Sequence, residues 1–182
     1  MATLFSTSRK RKGIFGVYFG YQRGKINCEI GSEKKRIYLD LCALERPYDD
    51  QSYPRIGAET AAVTLIIARV KTDLYVLTYS QIHEEELRPT PDEAMSVEIS
   101  KLFKTFGEDA ARLVDFTVVE PRGYDLADRG LGIGDAFHLA YAEICHADFI
   151  TCDDDLLRKC RKQDIDIWYG TPIDFCKKEG LL

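Results

Sequence analysis

Short apolar runs and longer amphipathic segments alternate along this chain from residue 36 onward. The apolar runs are rich in β-branched and aromatic residues, which is typical of buried strands. They predict five strands: RIYLDL (36–41), DLYVLTYS (73–80), DFTVVE (115–120), DFITC (148–152) and IDIWYG (165–170). Because helical segments separate these strands, the pattern favours a parallel sheet covered on both faces. We therefore predict an α/β fold of three layers, α/β/α, with a central parallel sheet of four to five strands.

The segments between the predicted strands have apolar residues at helical spacing and recognisable helix starts. Ser80 is a suitable N-cap for a short helix over 80–87, and Thr90 opens a capping box for the next helix. We expect Gly107 to end that helix and residues 108–114 to add one or two further turns. The remaining segments are predicted as a loop over 43–54 and as helices over 56–72, 132–146, 154–163 and from the cap at 171 onward.

The N-terminal part of the chain does not follow this alternation. We treat residues 1–35 as an extension of a domain that spans 36–182. A turn-type sequence at 22–25 lies between two alternating segments, which indicates a hairpin, with a disordered leader as the alternative. Residues 1–36 carry nine Lys and Arg against two acidic side chains, whereas the rest of the chain carries 16 basic and 28 acidic ones. A basic extension on an acidic domain predicts attraction to nucleic-acid phosphates.

Composition restricts the class of protein. A length of 182 residues with 45% hydrophobic and 30% charged residues is typical of one globular domain. The longest apolar run, 61–68, is much shorter than the roughly 18 residues that a membrane span needs, and we expect no secretory signal. The six cysteines form no CxxC pair, so neither a zinc site nor a disulfide framework is expected. These features predict a protein of the reducing cytoplasm.

Four acidic residues stand where an α/β fold brings side chains together. Asp40 lies near the end of the first predicted strand, and Asp153 directly follows the fourth. Since ligands of open parallel sheets bind beyond the carboxyl ends of the strands, both acids lie at the edge where a site is expected. Glu86 and Asp135 lie on predicted helices. Clustered carboxylates repel one another unless a cation neutralises them, and oxygen ligands suit Mg²⁺ or Mn²⁺. The alternative is four unrelated surface acids.

Helical geometry distinguishes Glu86 from its acidic neighbours. If Ile82 faces the sheet, the step of roughly 100° per residue places Glu85 and Glu86 beside it and Glu84 on the far side. Asp135 lies in the first turn of its helix, where the helix dipole alone would favour an acid. The simpler alternatives are a solvated acidic turn for the three glutamates and a helix-end charge for Asp135.

Other chemistries have little support in the sequence. The three histidines show no metal-ligand spacing, and we expect His138 to be a partly buried helix residue. Neither a phosphate-binding loop nor a nucleophile-elbow motif occurs. A phosphoacceptor domain of the receiver type would need a lysine at a strand end, which none of the five predicted strands offers. Metal-assisted phosphoryl or phosphodiester chemistry is the remaining candidate.

Four segments, in this order and spacing, resemble the PIN-domain family: RIYLDLCALERPYDDQSYPRI, LTYSQIHEEEL, GIGDAFHLAYAE and ADFITCDDDLL. The resemblance covers about residues 36–180 and is greatest to the toxin ribonucleases of toxin–antitoxin pairs. It implies a parallel sheet between helices and a nuclease site that depends on Mg²⁺ or Mn²⁺. The site residues that it implies are Asp40, Glu86, Asp135 and Asp153, with Thr151 as a supporting hydroxyl.

The activity that the resemblance implies is that of an endoribonuclease hydrolysing phosphodiester bonds of single-stranded RNA. Metal ions would activate the attacking water and stabilise charge on the leaving oxygen. The resemblance also implies an antitoxin protein as a partner, and it is compatible with a homodimer. The candidate contacts to RNA phosphates are Arg46, Arg88, Arg158 and Lys159, with ordinary solvated charge as the alternative for each.

Two residues depart from the pattern of the family. Leu41 and Cys42 follow Asp40, where family members often have a small polar residue and then Asn or Ser. Residues at these positions provide hydrogen bonds that orient metal-binding carboxylates. The difference therefore keeps a second hypothesis open, in which the chain is a catalytically inactive PIN-like domain that binds RNA or a partner without cutting.

Overall fold

The computed structural model describes residues 34–182, which form one parallel sheet with helices on both faces. The strand order is β3-β2-β1-β4-β5. The strands are β1 (Lys35–Leu39), β2 (Tyr75–Tyr79), β3 (Gly107–Asp109), β4 (Asp148–Ile150) and β5 (Tyr169–Gly170). The helices are α1 (Leu41–Glu45), α2 (Pro54–Lys71), α3 (Gln81–Leu87), α4 (Glu93–Phe106), α5 (Phe116–Asp128), α6 (Ile133–Ile144), α7 (Asp154–Cys160) and α8 (Pro172–Lys178). Short 3₁₀ turns cover Arg46–Tyr48 and Ala110–Arg112.

The central strand, β1, pairs in parallel with β2 on one side and β4 on the other. Because successive side chains of a strand point to opposite faces, Ile37 and Leu39 pack on one side of the sheet and Tyr38 on the other. The first side is covered mainly by α1, α2, α4 and α8, and the second by α5, α6 and α7. The structure therefore confirms the predicted α/β/α layers around a central parallel sheet.

One predicted strand is wrong. Residues 115–120 begin helix α5 instead of forming the third strand. The Asp115 carboxylate accepts a hydrogen bond from the Thr117 N–H at 2.9 Å and caps the helix. Val119 and Leu126, two helical turns apart, are both buried in the core on the α6 side of the sheet. The cap and the helical spacing outweigh the β-branched composition of this segment.

The third strand lies at Gly107–Asp109, at the edge of the sheet. It pairs in parallel with the end of β2, with Leu77 opposite Gly107. Gly107 ends α4 as predicted, but residues 108–114 run along the sheet edge and then form only a 3₁₀ turn. A strand of three residues without large apolar side chains has no hydrophobic periodicity, so the sequence pattern could not identify it.

One predicted loop and one predicted helix start also differ from the structure. The predicted loop over 43–54 contains the end of α1 and a 3₁₀ turn. Helix α4 begins at Glu93, where the Asp92 carboxylate accepts a hydrogen bond from the Met95 N–H at 3.0 Å. The cap therefore lies two residues after Thr90. Both Thr and Asp are good N-cap residues, and propensity alone does not choose between them.

The predicted hairpin around residues 22–25 lies outside the described residues, as does the basic extension before residue 34. Within residues 34–182, no helix is both long enough and apolar enough to cross a membrane. The cysteines in this range are free thiols, and all of them except Cys42 are buried.

The packing of α5 against α6 generates a prediction about stability. A Cβ added at Gly123 would lie 2.8–2.9 Å from atoms of the Phe137 ring. That ring is held between Phe116 and Tyr124, which limits its movement. We expect Gly123→Ala to lower the free energy of unfolding by about 1–3 kcal/mol because the core becomes overpacked. Urea unfolding measures this change.

Gly57→Ala is the matched control, because Gly57 also lies in a helix but the nearest atom to its added Cβ is 3.9 Å away. This variant should be more stable than the native chain by about 0.5–1 kcal/mol, since alanine favours the helix over glycine. If the two alanine variants were equally stable, the close packing at Gly123 would be contradicted.

Candidate metal centre

Asp40 lies directly after the central strand and is 7% exposed. Its backbone N–H donates to the Ile150 carbonyl at 2.9 Å, which extends the pairing of β1 with β4 by one residue. No lysine or arginine within residues 34–182 forms an ion pair with its carboxylate. A buried carboxylate without a cation is costly, so Asp40 needs hydrogen bonds or a bound cation.

Two side chains donate hydrogen bonds to one oxygen of Asp40. The Thr151 hydroxyl donates to Asp40 Oδ2 at 2.7 Å, and the Cys42 thiol donates to the same oxygen at 3.1 Å. Burial, followed by the charge of Asp40, raises the pKa of the Cys42 thiol well above its usual range, so the thiol stays protonated. These donors fix the orientation of the carboxylate, and Oδ1 accepts no hydrogen bond from them.

Glu86 and His138 meet Asp40 at the carboxyl edge of the sheet. His138 is 1% exposed, and its Nε2 lies 2.9 Å from Glu86 Oε2 and 4.0 Å from Asp40 Oδ1. One potential ligand atom from each of the three residues lies within 4.8 Å of the others. Glu84 and Glu85 are exposed. Among the three consecutive glutamates, Glu86 is therefore the one that the structure brings to Asp40.

Asp135, in the first turn of α6, is partly buried near the same acids. The pKa of its carboxyl is raised, first by burial and then by the negative charges of Asp40 and Asp153. His138 and Lys159 act in the opposite direction but do not outweigh these effects. Asp40, Asp135 and Asp153 therefore lie close enough for their charges to repel one another.

Asp153 has one carboxylate oxygen in use and one available. Its Oδ1 caps α7 by accepting hydrogen bonds from the N–H groups of Asp155 at 2.7 Å and Leu156 at 3.0 Å. Its backbone N–H donates to Thr151 Oγ1 at 3.1 Å, so the same threonine contacts Asp40 and Asp153. Within the described part of the chain, Asp153 Oδ2 accepts no hydrogen bond and is available to a ligand.

Two glycines at the start of α6 allow this close approach of acids. A Cβ added at Gly134 would lie 2.9 Å from Glu86 Oε1, and one added at Gly132 would lie 2.9 Å from Asp135 Oδ2. A side chain at either position would displace a carboxylate. The two glycines therefore leave the space that these carboxylates occupy.

The structure separates the four predicted phosphate contacts into two groups. Arg46 forms an ion pair with the buried Glu59, with Nε 2.7 Å from Oε2, and Arg158 pairs with an acid on its own helix. Arg88 and Lys159 form no ion pair with any residue from 34 to 182. Of these four candidates, Arg88 and Lys159 are therefore the two whose charge no acid of the described residues engages.

Sequence reasoning missed His138 as part of the site and expected only a partly buried helix residue. The structure buries it fully between the acids and β1. Its position three residues after Asp135 was the available signal, because residues at this spacing share one face of a helix. The hydrogen-bond partners of His138 come from other elements and carry no such signal.

The donor set fits a divalent cation. Carboxylate oxygens not used for structural hydrogen bonds come from Asp40, Asp135 and Asp153, with Glu86 beside them. Mg²⁺ and Mn²⁺ prefer oxygen ligands of this kind. A cation among these carboxylates would offset the burial of Asp40 and the repulsion that raises the pKa of Asp135.

The electrostatic coupling generates a prediction for the metal-free protein. We expect Asp135 to titrate above the ordinary aspartate pKa of 3.8 and its pKa to fall in Asp40→Asn, because one repelling charge is removed. Carboxyl-carbon NMR during a pH titration measures this change. Glu85→Gln is the control and should leave the Asp135 pKa unchanged. If the pKa of Asp135 did not change in Asp40→Asn, the electrostatic coupling between the two acids would be contradicted.

No protein-family model matches this chain, and no curated protein matches it either. Membership of the PIN-domain family therefore stays a prediction made from the residues.

Proposed function

We propose that this chain is an endoribonuclease of the PIN type that uses Mg²⁺ or Mn²⁺ to hydrolyse phosphodiester bonds of single-stranded RNA. The observation that carries the proposal is the buried Asp40 carboxylate, which has acidic neighbours and no lysine or arginine partner among residues 34–182. Carboxylates that converge at one edge of a parallel sheet, with the pKa of one of them, Asp135, raised by burial and by its neighbours, are typical of functional sites.

The four acids have distinct roles in this proposal. Asp40, Asp135 and Asp153 would hold the metal, and Glu86 would bind it directly or through a water molecule. When bound, Mg²⁺ or Mn²⁺ supplies charge stabilisation and lowers the pKa of a water nucleophile. The expected products carry a 5′-phosphate and a 3′-hydroxyl.

The hydrogen bonds of the chain prepare the carboxylates for this role. Thr151 and Cys42 hold one oxygen of Asp40, and two backbone N–H groups of α7 hold one oxygen of Asp153. Such fixed orientation limits the reorganisation that binding requires. Cys42 contributes a hydrogen bond at the position where the family resemblance implies Asn or Ser.

Substrate and partners follow from the same proposal. Arg88 and Lys159 would contact RNA phosphates, since neither is engaged by an acid of residues 34–182.

If the chain is the toxin of a toxin–antitoxin pair, the antitoxin would place a basic side chain among the four acids. The exposed apolar side chains of Val118 and Tyr124 on α5 are candidates for contact in a homodimer. A chain with this many free thiols would work in the reducing cytoplasm.

The second candidate is a PIN-like domain that binds RNA or a partner without cutting. Cys42 favours it, because a thiol is a weaker hydrogen-bond donor than the hydroxyl or amide that the resemblance implies. The side chain of Leu41 has no polar group. Thermal stabilisation by Mn²⁺ without turnover of any RNA would favour this candidate.

Removing the central carboxylate tests the nuclease proposal. We expect Asp40→Asn to lower metal-dependent cleavage of a labelled single-stranded RNA by at least about 1,000-fold, because the metal contributes several kcal/mol to the transition state. The control is Asp164→Asn, which changes an exposed acid between α7 and β5. Full activity in a folded Asp40→Asn variant would refute the assignment.

Adjacent glutamates on α3 provide a second test with a built-in control. We expect Glu86→Gln to lower cleavage by about 10- to 100-fold, since this carboxylate lies beside Asp40 and His138. Glu85→Gln should stay within about twofold of the native rate because Glu85 is exposed. Equal losses in both variants would show that net charge, rather than position, determines the effect. Initial rates at saturating Mn²⁺ measure both variants.

A further inference from the structure

A chain of buried hydrogen bonds reaches the acids from the opposite side of His138. The Ile82 N–H donates to Ser80 Oγ at 3.3 Å, and Ser80 Oγ lies 2.6 Å from the Tyr38 hydroxyl. That hydroxyl lies 2.8 Å from His138 Nδ1, and His138 Nε2 lies 2.9 Å from Glu86 Oε2. Ser80 and Tyr38 are fully buried, so protein groups must satisfy their hydrogen-bonding capacity.

The position of each hydrogen in this chain follows from the Glu86 end. A carboxylate oxygen can only accept, so His138 Nε2 carries a hydrogen and donates it to Glu86. When the ring carries this one hydrogen, His138 Nδ1 accepts from the Tyr38 hydroxyl. The Tyr38 oxygen in turn accepts from the Ser80 hydroxyl, and Ser80 Oγ accepts from the Ile82 N–H. With the hydrogens in these positions, each donor in the chain of hydrogen bonds has an acceptor.

The opposite direction leaves one buried hydrogen without an acceptor. If His138 Nδ1 carried a hydrogen, the Tyr38 oxygen would accept it and the Tyr38 hydroxyl would donate to Ser80. Ser80 Oγ would then face donors from both Tyr38 and the Ile82 N–H, and its own hydrogen would find no acceptor within residues 34–182. Buried polar groups without partners are costly, so the contacts favour His138 with its hydrogen on Nε2.

His83, like His138, has its hydrogen on Nε2, and it adds no charge beside His138. The Ser80 N–H donates to His83 Nδ1 at 3.1 Å, and His83 Nε2 donates to the Leu39 carbonyl at 2.9 Å. Burial, followed by the neighbouring His138, lowers the pKa of His83 well below its usual range. The two ring centroids are 4.6 Å apart. A neutral His83 therefore forms one wall of the pocket that holds His138.

We propose that Tyr38 and Ser80 hold His138 as a hydrogen-bond donor to Glu86, so that the centre offers oxygen ligands alone and selects Mg²⁺ or Mn²⁺ over Zn²⁺. The proposal rests on the metal centre of the proposed function. A histidine that binds a metal presents an unprotonated nitrogen to it and commonly donates its other N–H to a carboxylate or carbonyl. His138 has the reverse orientation, with its N–H toward the acids and its bare nitrogen toward a phenol.

This orientation matters because zinc favours imidazole nitrogen, whereas magnesium and manganese favour carboxylate oxygen. Tyr38 is a positioning residue in this scheme, since it acts on the acids only through His138. A change at Tyr38 should therefore alter which metal binds, and a purely structural role for Tyr38 would not do so.

Imidazole ¹⁵N chemical shifts of the full chain, labelled at histidine, test the hydrogen positions directly. We expect His138 to keep its hydrogen on Nε2 in chelator and after Mg²⁺ is added. An unprotonated Nε2 in either condition would overturn the proposal. If Mg²⁺ binds with Nε2–H retained but no RNA is cut, the donor role stands and the nuclease proposal fails. If no Mg²⁺ binding is detected, both fail.

Tyr38→Phe tests the selectivity. Without the phenol hydrogen directed at His138 Nδ1, the single imidazole hydrogen can move from Nε2 to Nδ1, and the bare Nε2 can then bind a metal. We expect the ratio of Zn²⁺ affinity to Mn²⁺ affinity to rise by at least about tenfold in a competition titration. Tyr141→Phe, at a buried tyrosine of α6 outside this hydrogen-bond chain, should leave the ratio unchanged. An unchanged ratio in folded Tyr38→Phe would overturn the proposal, and the NMR measurement on the native chain tests it even if that variant does not fold.

Discussion

Repulsion of the partly buried Asp135 carboxylate by the charges of Asp40 and Asp153 is the interaction on which the candidate site depends. Asp40 is buried at the end of the central strand, and its charge helps to raise the pKa of Asp135. Thr151 and Cys42 stabilise one oxygen of Asp40 with hydrogen bonds but bring no positive charge. Since burial and repulsion both raise the pKa of Asp135, a bound divalent cation is the simplest means of stabilising its ionised form beside Asp40. The proposed metal dependence follows from this balance.

The part of the site that could be predicted from the sequence is the part that topology determines. Parallel strands end at one edge of a sheet, so Asp40 and Asp153 were placed together by the strand pattern alone. Glu86 could be distinguished from Glu84 because the two project from different faces of a helix. The layers of the fold could also be predicted from the sequence, since buried strands and amphipathic helices differ in length and period.

The other features of the fold and of the site depend on contacts between residues far apart in the chain. Helix α5 has β-branched residues at its start, and only its cap and its packing on α6 distinguish it from a strand. The edge strand β3 is defined by pairing with β2 and has no pattern of its own. The direction of hydrogen bonding through Ser80, Tyr38 and His138 requires three separate elements to meet. Sequence periodicity carries no information about such a network.

Anomalous diffraction from crystals of the native chain soaked in Mn²⁺ would test the central claim, that a divalent cation completes this group of acids. We expect a peak in direct contact with the Asp40 carboxylate, among Asp135, Asp153 and Glu86. We also expect His138 Nε2 to contact Glu86 rather than the metal. A well-ordered site without a peak among these carboxylates would show that no divalent cation completes the group.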